Sequence, residues 1–257
     1  MSDRAIPAAT LVVMRERPAG PPELLMVERT ARMAFAGGAM VFPGGRVDDG
    51  DRALAEALPE PDAPFRVAAI RETLEESGIP VGIAPAIDSE LAGRLQSELH
   101  ESADFAALLA REALALDLDA LTPFARWKPA FHQARIFDTI FFLAEAPAGD
   151  WRPRPQAGEC EGVEWLSART VLDRVASGQA SAIFPTIRNL ERLALFGSIA
   201  EARADATAHR IETITPWIAD HEGEPHLFIP DGLGYPVTRE PLESVRRGVG
   251  EGIFPAA

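Results

Sequence analysis

Arg71-Glu72-Thr73-Leu74-Glu75-Glu76-Ser77-Gly78-Ile79 places three carboxylates within little more than one helical turn and then stops at a glycine. At about 100° per residue, Glu72, Glu75 and Glu76 stand at i, i+3 and i+4, with Val67, Ile70 and Leu74 as an apolar stripe roughly opposite. The segment therefore reads as a helix anchored by one face and carrying acid on the other. Like charges at these spacings cost a few tenths of a kcal/mol per pair. A bound divalent cation would reverse that cost, and an all-oxygen donor set favours Mg²⁺ or Mn²⁺. Taken alone, the same run could be an ordinary solvated acidic face.

Upstream, Phe42-Pro43-Gly44-Gly45-Arg46-Val47-Asp48-Asp49-Gly50-Asp51 reads as a glycine-rich loop followed by an acid-rich turn. Backbone N–H groups of Gly44 and Gly45 can approach phosphate oxygens closely there. Arg29 and Arg46 flank the loop as further candidate donors to substrate oxygens.

The two segments together resemble the Nudix box, G-x5-E-x7-R-E-U-x-E-E-x-G-U with U apolar. Gly45 falls at the first glycine, Asp51 at the first glutamate, and residues 71–79 at the remainder, with Thr73 at a U position. The chain departs from the pattern in two further ways. Asp51 shortens one acidic arm by a methylene, and nineteen residues (52–70) stand where the pattern has seven. The extra twelve, punctuated by Pro59, Pro61 and Pro64, are expected to form a loop, with Asp62 as N-cap of a helix running to Gly78.

The resemblance implies an α/β/α sandwich with a mixed sheet, and metal-dependent hydrolysis of a nucleoside diphosphate linked to another moiety. It implies Glu75 and Glu76 as principal Mg²⁺ (or Mn²⁺) ligands, Glu72 as a further ligand or general base, and Arg71 as the group that orients a glutamate. Asp51 is an additional candidate ligand. A later loop in such proteins often adds a carboxylate, and Glu159 is favoured over Glu161 in Gly158-Glu159-Cys160-Glu161.

The order of Trp127-Lys128-Pro129, Arg135-Ile136-Phe137-Asp138-Thr139 and Phe184-Pro185-Thr186 resembles the Nudix subgroup of the coenzyme A diphosphatase known as nudix motif 19. Coenzyme A-type members carry L-L-T-x-R-[SA]-x3-R-x3-G-x3-F-P-G-G ahead of the box. Leu25, Arg29, Gly38 and residues 42–45 match it, while Ala34 replaces the second arginine. Coenzyme A or an acyl derivative, and a dinucleotide or nucleotide sugar, both stay open as substrates. A third alternative is a Nudix sensor that binds a nucleotide without cleaving it, but such proteins usually lose box carboxylates.

Composition sets the outer limits. The 257 residues, 47% hydrophobic and 25% charged, describe a globular chain with no apolar run near the ~20 residues of a membrane helix. Residues 1–9 lack a signal-peptide core. A net charge of −14 argues against a nucleic-acid polymer as partner but allows a small anionic nucleotide-type substrate, drawn in by metal and local arginines. The single Cys160 suits a reducing cytoplasm and is read as a core residue. A homodimer stays open.

Strands are expected at 8–14, 24–28, 39–42, 124–127, 136–144 and 162–166, the fifth almost wholly apolar and therefore central. Helices are expected over 88–116 with a break at 102–104, from Ser167 to Gly178, and over 185–196 and 198–207. A terminal hairpin is expected to join 210–218 to 226–229. The resulting division is a Nudix domain over 5–180, with insertions at 52–70 and 88–121, followed by an extension over 181–257 packed on it. Trp127, Phe131 and Phe137 are candidate stacking residues, although aromatics near apolar strands are usually core.

Overall fold

The computed structural model describes residues 5–30, 36–129 and 136–249. Ala34, Phe131 and Arg135 lie outside the described residues. The chain opens with a hairpin of β1 (Ile6–Arg15) and β2 (Glu23–Arg29), in which Met14 faces Leu24. β3 (Met40–Val41) pairs with β2 and β4 (Gly44–Arg46) with β1. α1 (Asp49–Ala55) and α2 (Ala63–Ser77) follow, then β5 (Ile83–Ala84), α3 (Ser89–His100), α4 (Phe105–Arg111) and β6 (Ala115–Leu116). β7 (Thr122–Trp127), β8 (Phe137–Glu145) and β9 (Cys160–Ser167) complete most of the sheet, and α5 (Ala168–Ala176) leaves it under an N-cap from Ser167.

The remaining elements are α6 (Phe184–Leu193), α7 (Ile199–Ala208), β10 (Thr213–Ile214), β11 (Trp217–His221), β12 (Glu224–Phe228), β13 (Arg239–Pro241) and α8 (Leu242–Val249). Among the described residues, eight strands form one mixed sheet, ordered β10-β7-β8-β1-β2-β3 with β4 beside β1 and β9 beside β2. β1 runs parallel to β8 from Ile6↔Phe137 to Met14↔Glu145 and antiparallel to β2 and β4.

β1 lacks polar alternation because both of its faces are covered. Leu11 and Val13 join Leu25, Val67, Ile70, Leu74 and Phe142 in the core beneath α2. Val12 and Met14 join Met26, Phe124, Trp127, Leu190 and Ile199 in the core beneath the C-terminal helices. The result is the three-layer α/β/α arrangement expected, with β8 inside the sheet as its apolar run requires.

Three expectations are corrected. The extra residues after Asp51 do not form only a loop, because α1 begins there. Asp48 caps it, and its N–H donates to Asp51 Oδ2 at 2.9 Å in a reciprocal capping box. The helical stretch from residue 88 ends at Arg111, since Ala113 has φ 53° and Ala115–Leu116 turns into a strand against β5. Residues 210–218 are not one strand. Pro216 interrupts them, so that Thr213–Ile214 extends the main sheet beside β7 and only β11 enters the hairpin with β12.

α2 itself matches the sequence reading. Pro64 stands in its first turn, and Gly78 at φ 70° ends it with an N–H to Leu74 O at 2.8 Å. Asp62 sits at the N-cap, but its carboxylate accepts from Arg66 Nε instead of capping. Thr73, the polar residue at an apolar position of the pattern, is fully buried and satisfies its hydroxyl by donating to Ala69 O at 2.7 Å.

Candidate functional site

The acidic side of α2 is not a solvated face. Glu76 is 3% exposed and the side chains of Glu72 and Glu75 are mostly covered, because β4 stands against them and α3 lies alongside α2. They form one wall of a cavity of about 890 Å³.

Arg71 ties this wall together. Its Nε and Nη2 donate to Asp51 Oδ1 and Oδ2 at 2.8 and 2.9 Å, and Nη2 also reaches Arg46 O at 3.1 Å. Nη1 lies 3.0 Å from Glu72 Oε1 and 3.3 Å from Glu75 Oε2. Burial opposes the charge on Arg71, but the Asp51 hydrogen bonds and the fields of Glu72, Asp51 and Glu75 outweigh it and raise its pKa. α1 thus brings Asp51 to Arg71 despite the long spacer. Asp51 is spent on the guanidinium and its own helix cap.

The two glycines are explained by close approach. A Cβ on Gly44 would lie 2.4 Å from Ala9 O, and one on Gly45 would lie 2.3 Å from the Glu72 carboxylate. The segment expected as a loop is the short strand β4, and Gly44 N–H donates to Glu76 Oε2 at 2.9 Å. Arg29 Nη1 stands 3.7 Å from Glu76 Oε1, and its buried Nε has no partner. Arg29, Arg46, Gly44, Gly45 and Glu159 all line the cavity with the α2 acids.

Burial first, then a neighbouring negative charge, pushes these carboxyls upward. Glu72 rises to about 7, with Arg71 opposing and Glu75 adding to the shift. Glu76 rises to about 8, with Glu72 adding, and with Gly44 N–H and Arg29 opposing. Glu75 is raised by burial against Arg71, with Glu159 adding to the shift. The carboxylates are held together at an electrostatic cost that the nearby arginines only partly offset.

The same cavity is also lined by apolar side chains, those of Phe105, Phe137, Phe141, Ile183 and Phe184. Trp127 backs it but is fully buried, donating Nε1–H to Tyr235 Oη at 3.0 Å, so it is a core residue. Phe137, the other described stacking candidate, lines the cavity and is only partly buried. Cys160 is buried beside the site, and burial pushes its thiol up to about 12, which suits a packing residue.

No family model matches the chain. A crystal structure of a Nudix hydrolase from Alicyclobacillus acidocaldarius superposes with a TM-score of 0.69 at 29% identity, covering 79% of this chain and 97% of that one. The chain resembles Nudix hydrolases in fold and in sequence.

Among its Nudix relatives, the human acyl-coenzyme A diphosphatase NUDT19 is 25% identical over 282 residues, covering 85% of this chain and 74% of that protein. A Nudix hydrolase NudL from Cronobacter sakazakii is 38% identical over 88 residues, which cover 32% of this chain and 39% of that protein.

Nudix hydrolases generally use divalent metals, and the donor set of this chain fits such an ion in a particular way. Among the described residues no three His, Cys, Asp or Glu side chains converge as a ready cage. Arg71 contacts both Glu72 and Glu75, and Gly44 engages Glu76. Mg²⁺, however, is usually held by one or two carboxylates completed by water and substrate phosphate. The buried carboxyls of this wall, pushed toward neutrality first by burial and then by neighbouring negative charge, suit that mode.

Three residues of the site escaped the sequence reading. Gln156, 5% exposed, donates to Glu75 Oε1 at 3.3 Å and lies 2.7 Å from His100 Nδ1. Gln96 donates to the main-chain oxygens of Glu75 and Arg154. None of the three lies within a motif, and only the packing of α3 on α2 brings them together.

Proposed function

We propose that this chain is a Nudix hydrolase that cleaves the diphosphate linkage of a nucleoside diphosphate derivative in a divalent-metal-dependent reaction, with coenzyme A or an acyl-coenzyme A as substrate. One observation carries the reading: a single cavity is lined both by the α2 carboxylates with Arg29 and by a set of apolar side chains. The first would take a diphosphate and the second an extended apolar arm. The resemblance to an acyl-coenzyme A diphosphatase over most of the chain supports the same substrate. Retention of Glu72, Glu75 and Glu76 in the cavity favours catalysis over sensing.

Glu75 and Glu76, with Glu72 and Glu159 beside them, would hold Mg²⁺ or Mn²⁺. The ion would neutralise the diphosphate and lower the pKa of the attacking water. The chain's own groups do the rest. Gly44 N–H and Arg29 fix Glu76 from two sides. Arg71, braced by Asp51, spaces Glu72 from Glu75. Arg29 and the exposed Arg46, both lining the cavity, would supply donors for non-bridging phosphate oxygens. Glu72 would serve either as a further ligand or as the base that accepts the proton of the attacking water.

The division into a domain over 5–180 and an extension over 181–257 enters the proposal with one qualification. Leu190, Ile199, Ile214 and Leu227 share a core with β1 and β2, so the extension is a structural layer of the hydrolase. Among the described residues no helix is long and apolar enough to cross a membrane. We propose a cytoplasmic setting on the single buried cysteine.

The test is product release from a panel of coenzyme A, acyl-coenzyme A, dinucleotides and nucleotide sugars, with Mg²⁺ and with EDTA. Cleavage of coenzyme A to 4′-phosphopantetheine and 3′,5′-ADP, abolished by EDTA, is expected. Cleavage of dinucleotides or nucleotide sugars alone would replace the substrate, and no cleavage of any member would favour the sensor.

A further inference from the structure

We infer that the inserted helix α3 is a positioning face for the site, and that it acts through Gln156, which fixes the Glu75 carboxylate. The inference rests on the diphosphatase reading above.

Four residues of α3 contact the segment that carries Gln156 and Glu159: Ser89, Gly93, Gln96 and His100. They stand at i, i+4, i+7 and i+11, one stripe of a single helix. Arg154 lies along it. Its Nη2 donates to Ser89 O at 2.7 Å, and its guanidinium fills the space over Gly93, where a Cβ would come within 2.3 Å of Nη1. Arg154 N–H donates to Ser77 O at 2.8 Å at the end of α2, while Arg154 O accepts from Gln96 Nε2 at 2.9 Å.

The segment is therefore bolted to α2 and α3 two residues before Gln156 enters the interior. Both N–H groups of the Gln156 amide are then used, one on Glu75 Oε1 and one on His100 Nδ1. That arrangement requires Nδ1 of His100 to accept. Beyond Gln156 the turn closes with Cys160 N–H on Gln156 O at 3.1 Å, and Thr30 N–H holds Glu159 O at 2.9 Å. One anchored segment thus sets Glu75 directly and presents Glu159 to the same cavity. A buried glutamine that merely satisfied itself would have no need to reach an α2 carboxylate that also contacts Arg71.

Gln156→Met keeps the volume and removes both N–H donors. Gly93→Ala disturbs the stripe without touching the cavity, by displacing the Arg154 guanidinium. Mn²⁺ affinity is measured by electron paramagnetic resonance without substrate, alongside kcat, KM and thermal unfolding. Gln156→Met is expected to weaken Mn²⁺ binding and lower kcat by about tenfold, with KM changed less than twofold and the fold intact. Gly93→Ala should move the same two quantities in the same direction by a smaller factor.

Wild-type Mn²⁺ affinity and kcat in folded Gln156→Met would overturn the inference. So would a loss in both variants that follows reduced thermal stability, with Mn²⁺ affinity unchanged. If the wild-type chain cleaves no diphosphate, the functional reading fails, while the Mn²⁺ comparison still decides the role of Gln156.

Discussion

Replacing Glu76 with glutamine should stabilise the metal-free protein while removing its activity. Glu76 is buried, lies in the field of Glu72, and rises from an ordinary carboxylate value of 4.5 to about 8. Folding therefore favours its protonated form. A raised acid pKa leaves stability fully present below 4.5 and removes it as pH climbs through the folded value. Glu72, raised to about 7, acts in the same direction over the same window.

A shift of this size is an upper bound of about 4 kcal/mol at pH 8, and coupling within the pair reduces it to roughly 1–3 kcal/mol. Glutamine keeps the acceptor for Gly44 N–H and removes the charge, although its amide N–H groups face Arg29 less favourably. For a chain of this size about 1 kcal/mol moves Tm by roughly 2–4 °C. In EDTA, E76Q should melt several degrees above wild type at pH 8 and within about 2 °C of it at pH 5. Saturating Mg²⁺ should raise the wild-type Tm at pH 8 and close the gap, while kcat of E76Q stays lower by several orders. An equal offset at both pH values, or a wild type that is the more stable at pH 8 in EDTA, would refute the electrostatic account of the pair.

Asp51→Asn should lower kcat by about tenfold, less than E76Q does, because Asp51 acts through Arg71; steady-state kinetics at saturating Mg²⁺ ranks the two. Gly45→Ala should keep its fold and lose activity, since its Cβ meets only the movable Glu72 carboxylate. Gly44→Ala should cost about 1–3 kcal/mol in urea unfolding, because its Cβ meets the β1 backbone. Deleting residues 52–62 should impair catalysis through Arg71 as well as KM, because α1 carries Asp51; unchanged kcat in a folded deletion would contradict that dependence.

The sequence was most legible where one local signal sufficed. Pro64 and Gly78 bounded α2, the apolar run of β8 marked an inner strand, and Ser102 with Asp104 divided α3 from α4 through a positive φ and an N-cap. It was least legible where charge and tertiary contact decide. Asp48 and Asp51 read as a turn but close a capping box, which forms α1 among prolines. Gly44 and Gly45 read as a phosphate cradle, yet their first constraint is the nearness of β1 and Glu72.

These differences change the physical picture of the acidic cluster. Spacing alone gives a helix with an exposed row of glutamates, for which repulsion is weak because water screens it. Packing β1, β4 and α3 around α2 removes that water, so the same three residues become a strained wall with pKa values near or above neutral for two of them. Burial is what makes a divalent cation strongly favourable there, and it also requires the bracing by Asp51, Gly44 and Gln156 that no motif records. The proposed metal chemistry thus depends as much on the helices inserted around the box as on the box itself.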